Sequence, residues 1–198
     1  DATPLVTDPF EFVIVPGFVR ADFLSRADSD FPKVKGPGSF PLSTLQSGPA
    51  FQNLVEELEG PAMRAAIERK FGVDLSGRPT MVTIRGHCRE SDGGIHTDSL
   101  TKIITVLIYF NHGWGADGGR LRMLRSATDI EDFVAEVPPD QGTLLAFRRS
   151  DKSFHGHKPF AGARRSIQLN WVTGQDVVRR ELSRHRLSAL TKALNPFA

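Results

Sequence analysis

The chain has 198 residues, 39% of them hydrophobic and 24% charged, with a formal net charge of +2. These are ordinary values for one globular domain with a sizeable core, and they exclude disordered, collagen-like and membrane-embedded classes. The pI is about 8.9, yet Lys and Arg are spread along the chain, so neither a nucleic-acid nor a membrane partner is expected. Cys88 is the single cysteine and cannot close an internal disulfide. With no signal-peptide pattern in Asp1-Ala2-Thr3-Pro4, a reducing, cytoplasmic location is expected.

Residues 10–15, Phe-Glu-Phe-Val-Ile-Val, read as a strand closed by Pro16-Gly17. Residues 20–31 carry Phe23, Leu24, Ala27 and Phe31 at helical spacing, and the Pro-, Gly- and Ser-rich stretch 32–49 reads as a surface loop, with a lid as the alternative. Helices follow at about 50–59 and 61–71, the second opened by Pro61. From Thr80 onward the pattern changes to strands: 80–88, 103–110, 119–124, 132–137, 143–148 and 164–173. A helix is expected over 176–194, with Val178, Leu182, Leu190 and Leu194 on one side and a basic face towards solvent.

Short strands at this spacing with no helices between them predict a mainly β fold with supporting helices. The expected architecture is a double-stranded β-helix, or jelly roll, over 80–174. An N-terminal strand and helices (1–79) buttress it, a C-terminal helix (175–198) follows, and all form one domain over 1–198. A monomer or a homodimer is compatible with the tail helix.

His96 and Asp98 in Gly94-Ile95-His96-Thr97-Asp98 are two apart, so on extended backbone both side chains leave one face and can meet one ion. A further histidine completes two imidazoles and one carboxylate, a set that holds non-haem Fe(II) with open positions for chemistry. In the last strand Arg165 shares its parity with Ile167, Leu169 and Trp171. A guanidinium on an apolar parity needs a carboxylate to offset its desolvation, either a distant one of the chain or one from a ligand.

His96-x-Asp98, then Phe154-His155 with Pro159, then Arg165 with Trp171, together with Leu107-Ile-Tyr-Phe-Asn111, resemble the 2-oxoglutarate/Fe(II)-dependent dioxygenase superfamily in its prolyl-4-hydroxylase-like branch. The resemblance covers about residues 80 to 173. It implies His96, Asp98 and His155 as iron ligands, Arg165 as bidentate partner of the distal carboxylate of 2-oxoglutarate, and Tyr109 as a hydroxyl donor to the same group. Pro159 favours His155 over His157, and the step to Trp171 favours Arg165 over Arg164. The resemblance also implies Fe(II), 2-oxoglutarate and O2, with ascorbate as a possible further requirement, and hydroxylation of an unactivated C–H bond with release of succinate and CO2. The substrate is then a small molecule, a free amino acid or a protein side chain. Arg85, on one parity with Thr83 and His87, is expected to face the substrate and grip an anionic group, with Arg122 and Trp171 as further candidates. The alternatives are a cupin-like metalloenzyme without 2-oxoglutarate, or a non-catalytic jelly-roll binding or sensor module. No nucleophile with a partnered base stands out among Ser99, Cys88, Glu131 and Asp132.

Overall fold

A computed structural model describes residues 2–183. The expected strands and helices form, as β1 (Phe12–Val15), α1 (Ala21–Ser29), α2 (Pro49–Glu59), α3 (Pro61–Phe71), β3 (Thr80–Cys88), β4 (Lys102–Tyr109), β5 (Leu121–Leu124), β6 (Phe133–Val137), β7 (Leu144–Arg148) and β9 (Gly162–Val172). Two strands were not foreseen: β2 (Ser39–Pro41), inside the 32–49 loop, and β8 (His155–Gly156). Three and two residues are too few to carry a period of two, and the proline of β2 is tolerated because that strand lies at the sheet edge. A last helix, α4, runs over 175–183; residues 184–194 of the expected tail helix lie outside the described residues. Among the described residues no helix is long and apolar enough to cross a membrane.

The strands form a six-stranded antiparallel sheet, β1-β7-β4-β9-β3-β2, and a three-stranded one, β6-β5-β8. Alternation divides the large sheet into two faces. Ile84, Ile104, Val106, Ile108, Ile167, Leu169 and Trp171 face the helices and bury against Leu24, Phe51, Leu54, Leu58, Ile67 and Phe71. Each such burial is worth about 1.5–3 kcal/mol, so this layer is the main source of stability. On the other face Leu107, Tyr109, Leu145 and Phe147 pack on Leu121, Met123 and Val137 of the small sheet. That second apolar cluster fills only part of the space between the sheets; the rest is a polar cavity.

The helices begin and end where residue chemistry dictates. Pro49 and Pro61 occupy first helical turns, where a missing N–H costs nothing. The carboxylate of Asp30, at the end of α1, accepts the Ala50 backbone N–H at 2.8 Å and so caps α2 from twenty residues away. A side chain at residue 48 would collide with that carboxylate, which accounts for Gly48.

Candidate metal centre

His96, Asp98 and His155 converge: one potential ligand atom from each lies within 4.8 Å of the other two. The His96 loop is held against β8 by a reciprocal backbone pair, His96 N–H to His155 carbonyl at 3.0 Å and His155 N–H to His96 carbonyl at 2.9 Å. β8 in turn pairs with β5, His155 opposite Met123. Gly156 permits this close approach, since a Cβ there would meet the Gly93 carbonyl at 2.8 Å. Both imidazoles are oriented through Nδ1, which lies 2.8 Å from the Gly94 carbonyl in His96 and 2.9 Å from the Ser153 carbonyl in His155. A carbonyl can only accept, so Nδ1 carries the proton and Nε2 keeps the lone pair a metal requires. Burial, reinforced by the His96 charge and opposed by Asp98, pushes His155 down to about 4, so it is neutral and ready to ligate at neutral pH.

Asp98 is buried, and both of its oxygens are engaged. Lys102 Nζ donates to Oδ1 at 2.7 Å and the Thr105 hydroxyl donates to Oδ2 at 2.5 Å. Thr105 accepts from the Asn170 amide at 2.7 Å, and Asn170 accepts from the Gln168 amide at 3.0 Å. Burial alone would raise the carboxyl, but the charges of Lys102 and His155 and these hydrogen bonds outweigh it and hold Asp98 below the usual carboxylate range. The result is a dependable anion at the centre of the triad.

The triad opens onto a cavity of about 160 Å³ between the sheets, lined also by Thr83, Arg85, Leu107, Phe147, His157, Arg164 and Ser166. Arg164 is buried, donates through Nε to the Gly119 carbonyl at 2.7 Å, and lies 5.3 Å from the centroid of the Tyr109 ring. Among the described residues no carboxylate pairs with it. The Tyr109 side chain is fully buried and, among the described residues, its hydroxyl has no hydrogen-bond partner. Burial raises its ionisation above the usual phenol range, against the nearby Arg164, so it stays protonated as a donor. Arg85 reaches Asp92 at 2.9 Å and Ser39 Oγ at 3.2 Å. His157, buried and pushed down to about 4 by burial and then by Arg164, forms a neutral part of the wall.

Five expected site residues do not line this cavity: Tyr109, which lies beside Arg164, and Arg165, Trp171, Arg122 and His87. Arg165 points through the large sheet to the helices, where Nη1 pairs with Asp28 at 2.7 Å and the guanidinium lies 4.1 Å from the Phe31 ring centroid. Its carboxylate is thus the distant one of the chain, and the cavity arginine is its neighbour Arg164. The apolar parity of β9 faces the helix core, so Arg164, Ser166 and Gln168 on the polar parity face the cavity. Trp171 follows the apolar parity into the core. Arg122 sits on the far side of β5, held by Glu136 at 2.7 Å and Glu131 at 2.9 Å, with Phe133 beneath it. A register shift between Arg85 and His87 breaks their shared parity: Cys88 turns to Arg85, Nη1 to Sγ 3.5 Å, and His87 is exposed. Sequence reasoning also missed Lys102, Thr105, Gln168 and Asn170. The polar run Ser166, Gln168, Asn170 on alternate positions of an otherwise apolar strand was the available signal for the last two.

Residues 85–173 match the family model of the 2OG-Fe(II) oxygenase superfamily, a group of oxidoreductases that work with Fe(II), 2-oxoglutarate and O2, and the His96, Asp98 and His155 group that could hold a metal ion lies within that stretch. The fold is similar to that of a prolyl-4-hydroxylase from Pseudomonas putida, with a TM-score of 0.59, 19% identity, and coverage of 82% of this chain and 92% of that one. It is similar to the collagen prolyl hydroxylase of Paramecium bursaria Chlorella virus-1 in complex with 2-oxoglutarate (0.55, 12%, 81% and 94%). It is likewise similar to HygX from Streptomyces hygroscopicus with nickel, 2-oxoglutarate and hygromycin B bound (0.51, 12%, 83% and 83%). At these identities the structural likeness establishes the fold. No curated protein sequence matches the chain significantly.

Proposed function

We propose that this domain hydroxylates a C–H bond, with His96, Asp98 and His155 holding Fe(II) and Arg164 with Tyr109 holding the distal carboxylate of 2-oxoglutarate. The observation that carries this reading is a pair of buried donors, Arg164 and the Tyr109 hydroxyl, that have no anionic partner among the described residues and lie in or beside the cavity that contains the three ligands. A buried guanidinium and an unsatisfied hydroxyl are each costly, and one carboxylate offsets both. A metalloenzyme that used no co-substrate would have no need of them.

The neutral imidazole of His155, the imidazole of His96 and the anionic Asp98 would suit a divalent ion. Iron with 2-oxoglutarate and O2 supplies the oxidising power; one oxygen atom enters the substrate as hydroxyl, and 2-oxoglutarate leaves as succinate and CO2. The chain's own residues bind and orient. Lys102, Thr105 and Asn170 hold Asp98, the carbonyls of Gly94 and Ser153 hold the imidazoles, and Leu107, Leu121 and Phe147 keep water from one side of the cavity. Residues 1–79 support the 80–174 core as parts of one domain, and the substrate is a small molecule or a protein side chain.

The test is anaerobic titration with Fe(II) and 2-oxoglutarate, read as the weak visible charge-transfer band of the ternary complex. Wild type is expected to show the band and Asp98→Ala to lose it. Wild-type protein that binds the metal yet gives no band at any 2-oxoglutarate concentration would overturn the proposal.

A further inference from the structure

A second cavity, of about 320 Å³, adjoins the first and shares His96, Asp98 and Lys102 with it. The wall beyond them is unusually polar for a ligand site, rich in hydroxyls and amides from Thr83, Thr97, Ser99, Thr101, Gln168 and Asn170. Glu181 on α4 adds a carboxylate to the same lining, and Met81, Val172 and Val177 supply a smaller apolar part.

Lys102 stands where the two cavities meet. β4 carries an extra residue between Lys102 and Ile104 relative to β9. Without it Lys102 would share the parity of Ile104 and Val106 and face the helices; the bulge turns it towards Asp98. Its ammonium has three donors, of which Asp98 takes one. A fixed positive charge beside a carboxylate that ligates a cation opposes that cation unless an anion is also present. The deep end of the first cavity already has Arg164 for the distal end of 2-oxoglutarate, whereas Lys102 faces the second cavity too.

Resting on the function proposed above, we infer that the second cavity is the primary-substrate subsite and takes a small zwitterion, a free α-amino acid. Lys102 grips its carboxylate, and the hydroxyls and amide carbonyls of the surrounding wall receive its ammonium group. The volume suits such a molecule, and one fixed cation in a wall of hydroxyls and amides matches a carboxylate with a hydrogen-bonding ammonium beside it. An interior residue of a polypeptide, which carries neither charge at its α-carbon, leaves Lys102 unanswered.

The experiment is calorimetric titration of the standard free L-amino acids, and of their primary amides, into protein loaded with Zn(II) and 2-oxoglutarate, which turns nothing over. Succinate release with Fe(II) is measured in parallel. At least one amino acid is expected to bind about tenfold or more tighter than its amide and to stimulate succinate release. Lys102→Met should level acid and amide, and Lys102→Arg should restore the preference, each measured at metal and 2-oxoglutarate concentrations that saturate that variant. Equal binding of acids and amides, or no binding by any of them, would overturn the inference. So would a Lys102→Met variant whose demand for 2-oxoglutarate rises as much as that of Arg164→Met, which would assign Lys102 to the co-substrate. Absence of the band in wild type is a separate result and sinks the underlying function instead.

Discussion

Replacing Arg164 and Arg165 in turn with methionine separates two neighbouring arginines that lie on opposite faces of one strand. Arg164 is buried, with Nε on the Gly119 carbonyl and no carboxylate partner among the described residues. If 2-oxoglutarate is its partner, Arg164→Met removes one member of a buried, charge-assisted pair, which costs about 2–5 kcal/mol. That is roughly thirtyfold to a few thousandfold in the dissociation constant for 2-oxoglutarate. Arg165 instead pairs with Asp28, the two side chains being 28% and 17% exposed, and covers the Phe31 ring. Arg165→Met should therefore leave co-substrate affinity within about twofold and lower folding stability by about 1–2 kcal/mol. Titration of the charge-transfer band with 2-oxoglutarate reads the first quantity, and urea unfolding reads the second. If Arg165→Met weakened 2-oxoglutarate binding more than Arg164→Met does, the assignment of faces would be wrong.

Three further outcomes follow from the same geometry. Tyr109→Phe removes a hydroxyl that has no hydrogen-bond partner among the described residues, so thermal stability should hold or rise slightly, while 2-oxoglutarate affinity falls about fivefold, the worth of one hydrogen bond of about 1 kcal/mol; an unchanged affinity would remove Tyr109 from the site. Thr105→Val keeps the shape but breaks the hydrogen bonds to Asp98 and from Asn170, and should weaken Zn(II) binding measured by calorimetry about 10- to 100-fold; affinity equal to wild type would mean that Asp98 needs no such support. Finally, His155 and His157, held near 4 when folded against an ordinary 6.5, take up protons on unfolding throughout the window from about pH 6.5 to 4. The unfolded state binds more protons there, so stability is lost as pH falls, by about 3 kcal/mol for the pair between pH 6.5 and 5. Urea midpoints of the metal-free protein that stayed flat across this range would contradict the burial of both imidazoles.

The order of helices and strands was legible because helices such as Pro49–Glu59 bury Phe51, Leu54, Val55 and Leu58 at helical spacing, while Lys102–Tyr109 is a short, continuous β-branched and apolar run bounded by turn residues. The His96-x-Asp98 pair and His155 were legible for a different reason: the pair alone is common, but followed in order by His155 with Pro159 and an arginine with Trp171 it resembles one superfamily's pattern, and the three side chains do converge. What misled was a rule that is sound for simpler sheets, that the apolar parity of a strand faces the functional interior. Here the large sheet has a dry face against the helices and a wet face around the cavity, so the parity of Ile167 and Leu169 marks the side away from the chemistry. Arg165, Trp171 and Arg122 were misplaced on that account or for want of knowing which side of β5 faces inward. Lys102 and His87 were beyond reach, since each depends on a register shift set by the neighbouring strand and not by its own sequence.

The mutual backbone hydrogen bonds of His96 and His155 bear on how an ion would enter. Two candidate ligands that are far apart in sequence are already each other's main-chain partners, and each ring is fixed by a carbonyl two residues before it. The ordering entropy of the site is therefore spent during folding rather than at the moment of metal capture. Chelation should strip such a centre without unfolding the domain, and loading it should add only the mass-action term set by free metal concentration. A protein organised this way meets the ion as a preorganised receptor, in contrast to small zinc domains whose fold is assembled by the metal itself.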